Sequence, residues 1–225
     1  MTNLQKRILT SIIILPLSLL FILKGGYYLL IFLLTVFFIA NYEIFSVFKK
    51  TSTILFLDLM LISSLYSIYY LSDTNIRLHL LLWVIILVIL SDIGGYVIGK
   101  IFKGIKLTKI SPKKTVSGLL GSFIFSLLSL FIMNEIINFR SSDNSISVLQ
   151  ESFNFLDPKY FFLTIIFSLV AQVGDLIISY FKRLEKIKDT GKILPGHGGI
   201  FDRIDGLIFV TIITFIFYKL QIIPI

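Results

Sequence analysis

Seven apolar runs constrain this chain more than any other feature: about residues 8–23, 27–48, 52–71, 77–99, 115–133, 159–181 and 204–223. Each approaches the roughly 20 residues that a helix needs to cross the hydrocarbon core of a bilayer. A spanning segment must satisfy its own backbone hydrogen bonds, so runs of this kind become helices. The expected fold class is all-α, a polytopic membrane helix bundle of about seven transmembrane helices. Only 15% of the residues are charged and 56% are hydrophobic, against about 25% charged in soluble domains. The bundle accounts for the length, so no separate soluble domain is expected. Lys6 and Arg7 precede the first run as in a signal peptide, but no Ala-x-Ala site follows. The run is read as a retained first span.

The basic residues orient the bundle. With the N-terminus in the cytoplasm, 16 of the 21 Lys and Arg residues fall on inside segments. The other five, Lys24, Arg77, Arg140, Lys159 and Lys219, fall outside. Cytoplasmic segments carry the excess of Lys and Arg, so an N-in/C-out arrangement is expected. Two basic loops, 100–114 and 182–203, then share the cytoplasmic face. Each follows a span with an aspartate near its cytoplasmic end, Asp92 in the fourth and Asp175 in the sixth. Ionised groups in a bilayer are costly and tend to mark sites. The chain accordingly divides into N-terminal transmembrane helices, 1–90, and a catalytic transmembrane region, 91–225, that carries both loops. The polar 134–158 segment reads as an external connector without chemistry. Cysteine is absent, which excludes a thiol nucleophile, a disulfide framework and a Cys metal site.

The densest polar stretch runs from Ser179 to Asp205 and holds Lys182, Arg183, Lys186, Lys188, Lys192 and Arg203. Its Pro-Gly-His-Gly-Gly turn at 195–199 surrounds His197 with glycines, which allow a close backbone approach to a ligand. Asp202 and Asp205 open the seventh span, and carboxylates suit Mg²⁺, which takes a few of them together with phosphate and water. Asp175, Ser179 and Lys182 fall at i, i+4 and i+7, on one helix face. In the other loop, Ser111 reads as an N-cap and Pro112 as the start of a helix. Its N–H groups, with Lys113, Lys114 and Thr115, would make a phosphate-binding arrangement. Gly95 and Gly99 form a small-xxx-small pair beside Asp92.

Each of these has a plainer reading: a helix-packing seam at Asp92, an anchor with a cap at 111–115, a buried Asp–Lys pair at Asp175, a solvated loop at 188–205. So much charge, glycine and histidine in one segment of a membrane protein favours an anionic, phosphorylated substrate. His79 has no polar company and reads as structural.

These residues resemble a known family. Ser179, Lys182, Arg183, Lys188, Asp189, Gly191, Pro195, Gly196, His197, Gly198, Gly199, Asp202, Arg203 and Asp205 follow the signature of the phosphatidate cytidylyltransferases, the CDP-diacylglycerol synthases. Ser-Pro-Lys-Lys-Thr at 111–115 and the Asp92–Gly99 cluster resemble the same family in order and spacing. Matching residues cover about 90–205. The chain departs from the family in being short, by about two spans before Asp92. It also has Ser117 where Glu is frequent, Gly206 where Ser is, Gly95 where Ala is, and Phe102-Lys103-Gly104 for Phe-Gly. The role of position 117 stays open.

The resemblance implies transfer of a cytidylyl group from CTP to phosphatidate, giving CDP-diacylglycerol and pyrophosphate in phospholipid biosynthesis. It implies Mg²⁺, with K⁺ as a candidate companion, held by Asp175 and Asp202. Catalytic roles then fall to Asp175, Lys182, Arg183, Lys188, Asp189, His197, Asp202, Arg203 and Asp205. Substrate binding falls to Asp92, Ser111, Lys113, Lys114, Thr115, Ser179, Gly196, Gly198 and Gly199. His197 is read as a phosphate contact, because Mg²⁺ prefers oxygen ligands. The expected partners are CTP, phosphatidate and the lipid bilayer, with no nucleic acid, and a homodimer is compatible with them. The expected location is a bacterial inner membrane, with the site facing the cytoplasm. Rival readings are a CTP-dependent prenol kinase and an anion transporter using Asp92 and Asp175. A CDP-alcohol phosphotransferase requires Asp-Gly-x2-Ala-Arg, and here Asp205-Gly206 is followed by Leu-Ile-Phe-Val.

Overall fold

The computed structural model describes residues 3–108, 110–112, 114–140, 155, 157–191, 193–194 and 198–223. Within them each apolar run is a helix: α1 Asn3–Lys24, α2 Gly26–Val47, α3 Thr51–Ser72, α4 Asn75–Phe102, α5 Val116–Arg140, α6 Pro158–Leu184 and α7 Phe201–Lys219. Local chemistry sets several of the boundaries. Thr74 caps α4 by accepting from the Arg77 N–H at 3.4 Å. Asp157 caps α6 by accepting from the Lys159 N–H at 2.8 Å, with Pro158 at the first helical position, where its missing N–H is not needed. Among the described residues five helices, α2 to α6, are long and apolar enough to cross a membrane, with α5 counted over Val116–Asn138. In α1 the apolar part is Ile12–Lys24, and α7 carries Asp202, Arg203 and Asp205 among its first five residues. The chain is an all-α, multi-pass membrane protein.

Three apolar clusters hold the helices together. One joins α4, α5, α6 and α7 around the fully buried Trp83, whose ring lies 5.5 Å from Phe155, 5.4 Å from Tyr160 and 5.5 Å from Phe167. A second joins α2 and α3 to α6 and α7 through Ile44, Leu57, Leu61, Ile178, Phe201 and Ile208. A third joins α1 to α4 through Ile22, Leu33, Leu71 and Leu81. α4 runs unbroken through residues 90 and 91. A division of the chain there follows the placement of polar residues and not a break in the fold.

α4 and α5 meet without large side chains between them. A Cβ at Gly95 would lie 2.6 Å from Ser122 Oγ, and one at Gly118 would lie 2.8 Å from the Gly95 carbonyl. The packing reading of the Gly95–Gly99 pair therefore holds, and small residues let the two backbones touch. The connection between these helices corrects one expectation. Residues 105–107 pair antiparallel with 114–116 as a short hairpin, with Leu107 N–H donating to Lys114 O (2.8 Å) and Val116 N–H to Ile105 O (3.0 Å). Lys114 and Thr115 are thus held in the hairpin, and α5 starts at Val116 and not at Pro112. Ser111 lies in the hairpin turn. The side chain that caps α5 is Thr115, whose Oγ1 accepts from the Gly118 N–H at 3.1 Å.

Candidate active site

The hairpin, the ends of α4 and α6, and the starts of α5 and α7 enclose one cavity of about 350 Å³. α4 supplies Asp92, Gly95 and Tyr96, the hairpin supplies Lys114 and Thr115, and α6 supplies Gln172, Asp175 and Lys182. Asp189 comes from the loop after α6, and Asp202, Arg203 and Asp205 come from α7. Asp92 stands beside the packing seam and also lines the cavity.

Charge is arranged across helices, not along them. Lys114 Nζ lies 2.6 Å from Asp175 Oδ2 and donates to Gln172 Oε1 at 3.1 Å. Ser179 Oγ donates to Asp175 Oδ1 at 3.3 Å, so the shared face of Asp175 and Ser179 is real. Lys182, from the same face, turns to α7. Its Nζ is 2.9 Å from Asp202 Oδ1 and 3.7 Å from Asp205 Oδ2. The plainer reading, a buried Asp–Lys pair that holds helices together, is met across elements: Asp175 pairs with Lys114, and Lys182 with Asp202. Asp202 is fully committed: Oδ2 accepts from the Thr190 N–H (2.8 Å) and the Gly199 N–H (3.0 Å), while Oδ1 holds Lys182. Asp205 and Asp175 line the same cavity and act on each other electrostatically. Two carboxyl groups so placed repel unless a proton or a cation stands between them.

The remaining expected residues fall into three groups. Gly198 and Gly199 border the site: Gly198 has φ +89°, a Cβ there would lie 3.0 Å from Asp202 Oδ2, and its backbone exchanges two hydrogen bonds with Leu194. Arg183, Lys188 and Ser111 are not part of the cavity wall. Arg183 is exposed and donates to the Ile187 carbonyl at 2.5 Å, Lys188 is exposed, and the Ser111 N–H donates to Thr108 Oγ1 at 3.2 Å. Lys113, Gly196 and His197 lie outside the described residues. Ser117, the position left open, bonds the Lys103 carbonyl and Thr115 Oγ1, closing the base of the hairpin.

Two groups were not anticipated. Gln172 lines the cavity, and its Nε2 donates to Ser122 Oγ at 3.2 Å and Ser91 Oγ at 3.5 Å. Ser91 in turn bonds Ser168 at 2.9 Å. This buried chain orients the amide that receives Lys114. Its signal was present, since Gln172 stands three residues before Asp175 and so shares its helix face. The second is Glu43 on α2, a lone acid in an apolar run that the cost of charge in lipid should have flagged.

Residues 46–221 match the cytidylyltransferase family. The chain belongs to that family. It is 35% identical over 222 residues to the phosphatidate cytidylyltransferase of Rickettsia conorii, covering 96% of this chain and 91% of the relative. The phosphatidate cytidylyltransferase of Rickettsia felis is likewise 35% identical, over 220 residues, with 95% and 91% covered. That of Staphylococcus saprophyticus is 39% identical over 143 residues, covering 63% of this chain and 50% of the relative. The shortness expected against the family is thus absent from the comparison with the rickettsial proteins, which match along nearly their whole length.

Proposed function

We propose that the chain transfers the cytidylyl group of CTP to phosphatidate, releasing pyrophosphate and leaving CDP-diacylglycerol in the membrane. One observation carries this reading: the signature residues Lys182, Asp189, Asp202, Arg203 and Asp205 come from α6, α7 and the loop between them and meet α4 and the hairpin around a charged cavity. In the proposed step an oxygen of the lipid phosphate attacks the α-phosphorus of CTP. The new P–O bond forms as the bond from that phosphorus to the bridging oxygen breaks, and pyrophosphate leaves. The lipid supplies the nucleophile, so the chain's part is positioning and charge stabilisation. Lys114 and Arg203 would face the phosphates from opposite walls, with Asp92 and Thr115 beside them. Arg183, Lys188 and His197 are assigned to the approach of the triphosphate.

A divalent cation fits the donor set. Five carboxylates and three cationic side chains line the cavity, a formal excess of two negative charges before any phosphate enters. Among the described residues no three acids or histidines converge on one point. Two carboxylates would therefore be joined by phosphate and water oxygens, which is how Mg²⁺ is usually held. Asp175 would be one of them. Asp202 and Asp205 on α7 are the candidates for the other, and Asp205 has fewer commitments to break. When bound, such an ion offsets charge on the transferring phosphates.

The test is direct: purified protein, CTP and phosphatidate in mixed micelles, with and without Mg²⁺, product followed by mass. Label from the cytidine should reach lipid. Transfer of only the terminal phosphate would make the chain a lipid kinase, and anion flux in vesicles without CTP turnover would make it a transporter. We further propose seven spans in a bacterial inner membrane, N-in/C-out, with the cavity on the cytoplasmic side. Cysteines introduced at Ile105 and Ile193, both exposed, should be blocked only by reagents that enter the cytoplasm. One at Ser145 should label from outside. Labelling of 105 and 193 from opposite sides would break this arrangement.

A further inference from the structure

We infer that Glu43 is a positioning residue for the nucleotide site, acting from α2 on the loop that carries the family signature; this rests on the cavity being that site. Glu43 is 1% exposed, though it stands in a run that otherwise reads as a plain span. Its carboxylate grips the start of α7: Oε1 accepts from the Ile200 N–H at 3.0 Å and Oε2 from the Phe201 N–H at 2.9 Å. Helix starts leave such N–H groups without partners, and a nearby side chain of the same segment usually takes them. Here the N-cap residue is Ile200, which offers no side-chain acceptor. The cap is supplied instead by a helix more than 150 residues away in the chain.

Two glycines make room for it. A Cβ at Gly199 would come within 2.5 Å of Glu43 Oε2, and one at Gly191 would collide with Oε1. Both belong to the 189–199 loop, so their bareness is explained by Glu43 and needs no ligand. The same loop is held from its other side by Asp202, through Thr190 and Gly199. Two buried carboxylates thus fix the loop and the first turn of α7, and with them Asp189, Arg203 and Asp205 around the cavity. Glu43 touches none of the cavity and so acts only through these groups.

The experiment pairs Glu43→Ala and Glu43→Gln with Thr190→Cys. Thr190 is 1% exposed, so a cysteine there reports the opening of the loop in a chain with no other thiol. In Glu43→Ala, kcat should fall and the CTP KM rise, each about fivefold to tenfold, comparable to the loss of one helix cap. The Thr190→Cys labelling rate should rise by a similar factor, while the thermal midpoint moves by a few degrees at most. Glu43→Gln keeps one acceptor and should lie between Ala and wild type, and it carries the test if the alanine variant does not fold. Unchanged labelling would overturn the inference. So would an activity loss that merely tracks the amount of folded protein. Labelling needs no turnover, so a wild-type chain that makes no CDP-diacylglycerol would sink the proposed reaction without touching this result.

Discussion

The two ends of α6 are built by opposite means. Near its start, Tyr160, Leu163 and Phe167 pack with Trp83 and Phe155 in a dry cluster. Near its end, Gln172, Asp175 and Lys182 each meet a named partner on another element, Ser122 and Ser91, Lys114 and Asp202 respectively, while Ser179 bonds Asp175 one turn back on the same helix. At the first end shape matters most, since the contacts are largely apolar. At the second, each group has one particular counterpart, and a change of one atom leaves that counterpart unpaired. One helix thus supplies both a region that holds the bundle and the charged region proposed to hold the substrate.

The largest effect should come from the first end. Trp83→Ala removes a fully buried indole and the bond from its Nε1 to Ser129 Oγ (3.1 Å). A loss of about 3–5 kcal/mol in stability is expected, read by thermal unfolding in detergent, with the CTP KM of the folded fraction unchanged. A raised KM at unaltered stability would erase the separation between the two ends.

At the other end, Asp175→Asn keeps the shape and drops the charge opposite Lys114. Turnover should fall by at least about 10²-fold, as for electrostatic groups of this kind. Stability should fall less than turnover, because the side-chain oxygen of Asn can still accept from Lys114 in a pair that is only 20% and 30% exposed. Near-normal turnover at saturating Mg²⁺ would remove Asp175 from the proposed metal site.

A smaller change tests the boundary. Gln172→Leu leaves Lys114 its ion pair with Asp175 but takes away the Oε1 acceptor and the donor to Ser91 and Ser122. A CTP KM raised about threefold to tenfold is expected, the worth of a hydrogen bond or two. If the midpoint of unfolding drops instead and KM holds, Gln172 belongs with the packing of α4, α5 and α6.

Much of this was legible in the residues. The helices follow the apolar runs because lipid offers the backbone no other partner. The Asp175–Ser179 contact follows from helical spacing. The pairing of Lys182 was not legible from that spacing alone. Residues i and i+7 stand about 10 Å apart along a helix, too far for direct contact without a bent side chain, and α7 brings Asp202 to 2.9 Å. The cap at Ser111 failed for a related reason. The local rule was sound, but Leu107 and Val116 found backbone partners across the hairpin, and the extended form they impose delays the helix.

By itself, then, the sequence determined that this chain is a membrane bundle, which residues carry its charge, and which family they belong to. Those are properties of composition, periodicity and a long fixed motif, and each survives without coordinates. Only the tertiary structure decided who pairs with whom. It gave Lys114 to Asp175, Lys182 to Asp202, and the start of α7 to Glu43, which stands three residues ahead of the region matched to the family. Partnership across helices depends on which ends the fold brings together, and a hydrogen bond spanning 157 positions leaves no local pattern to read.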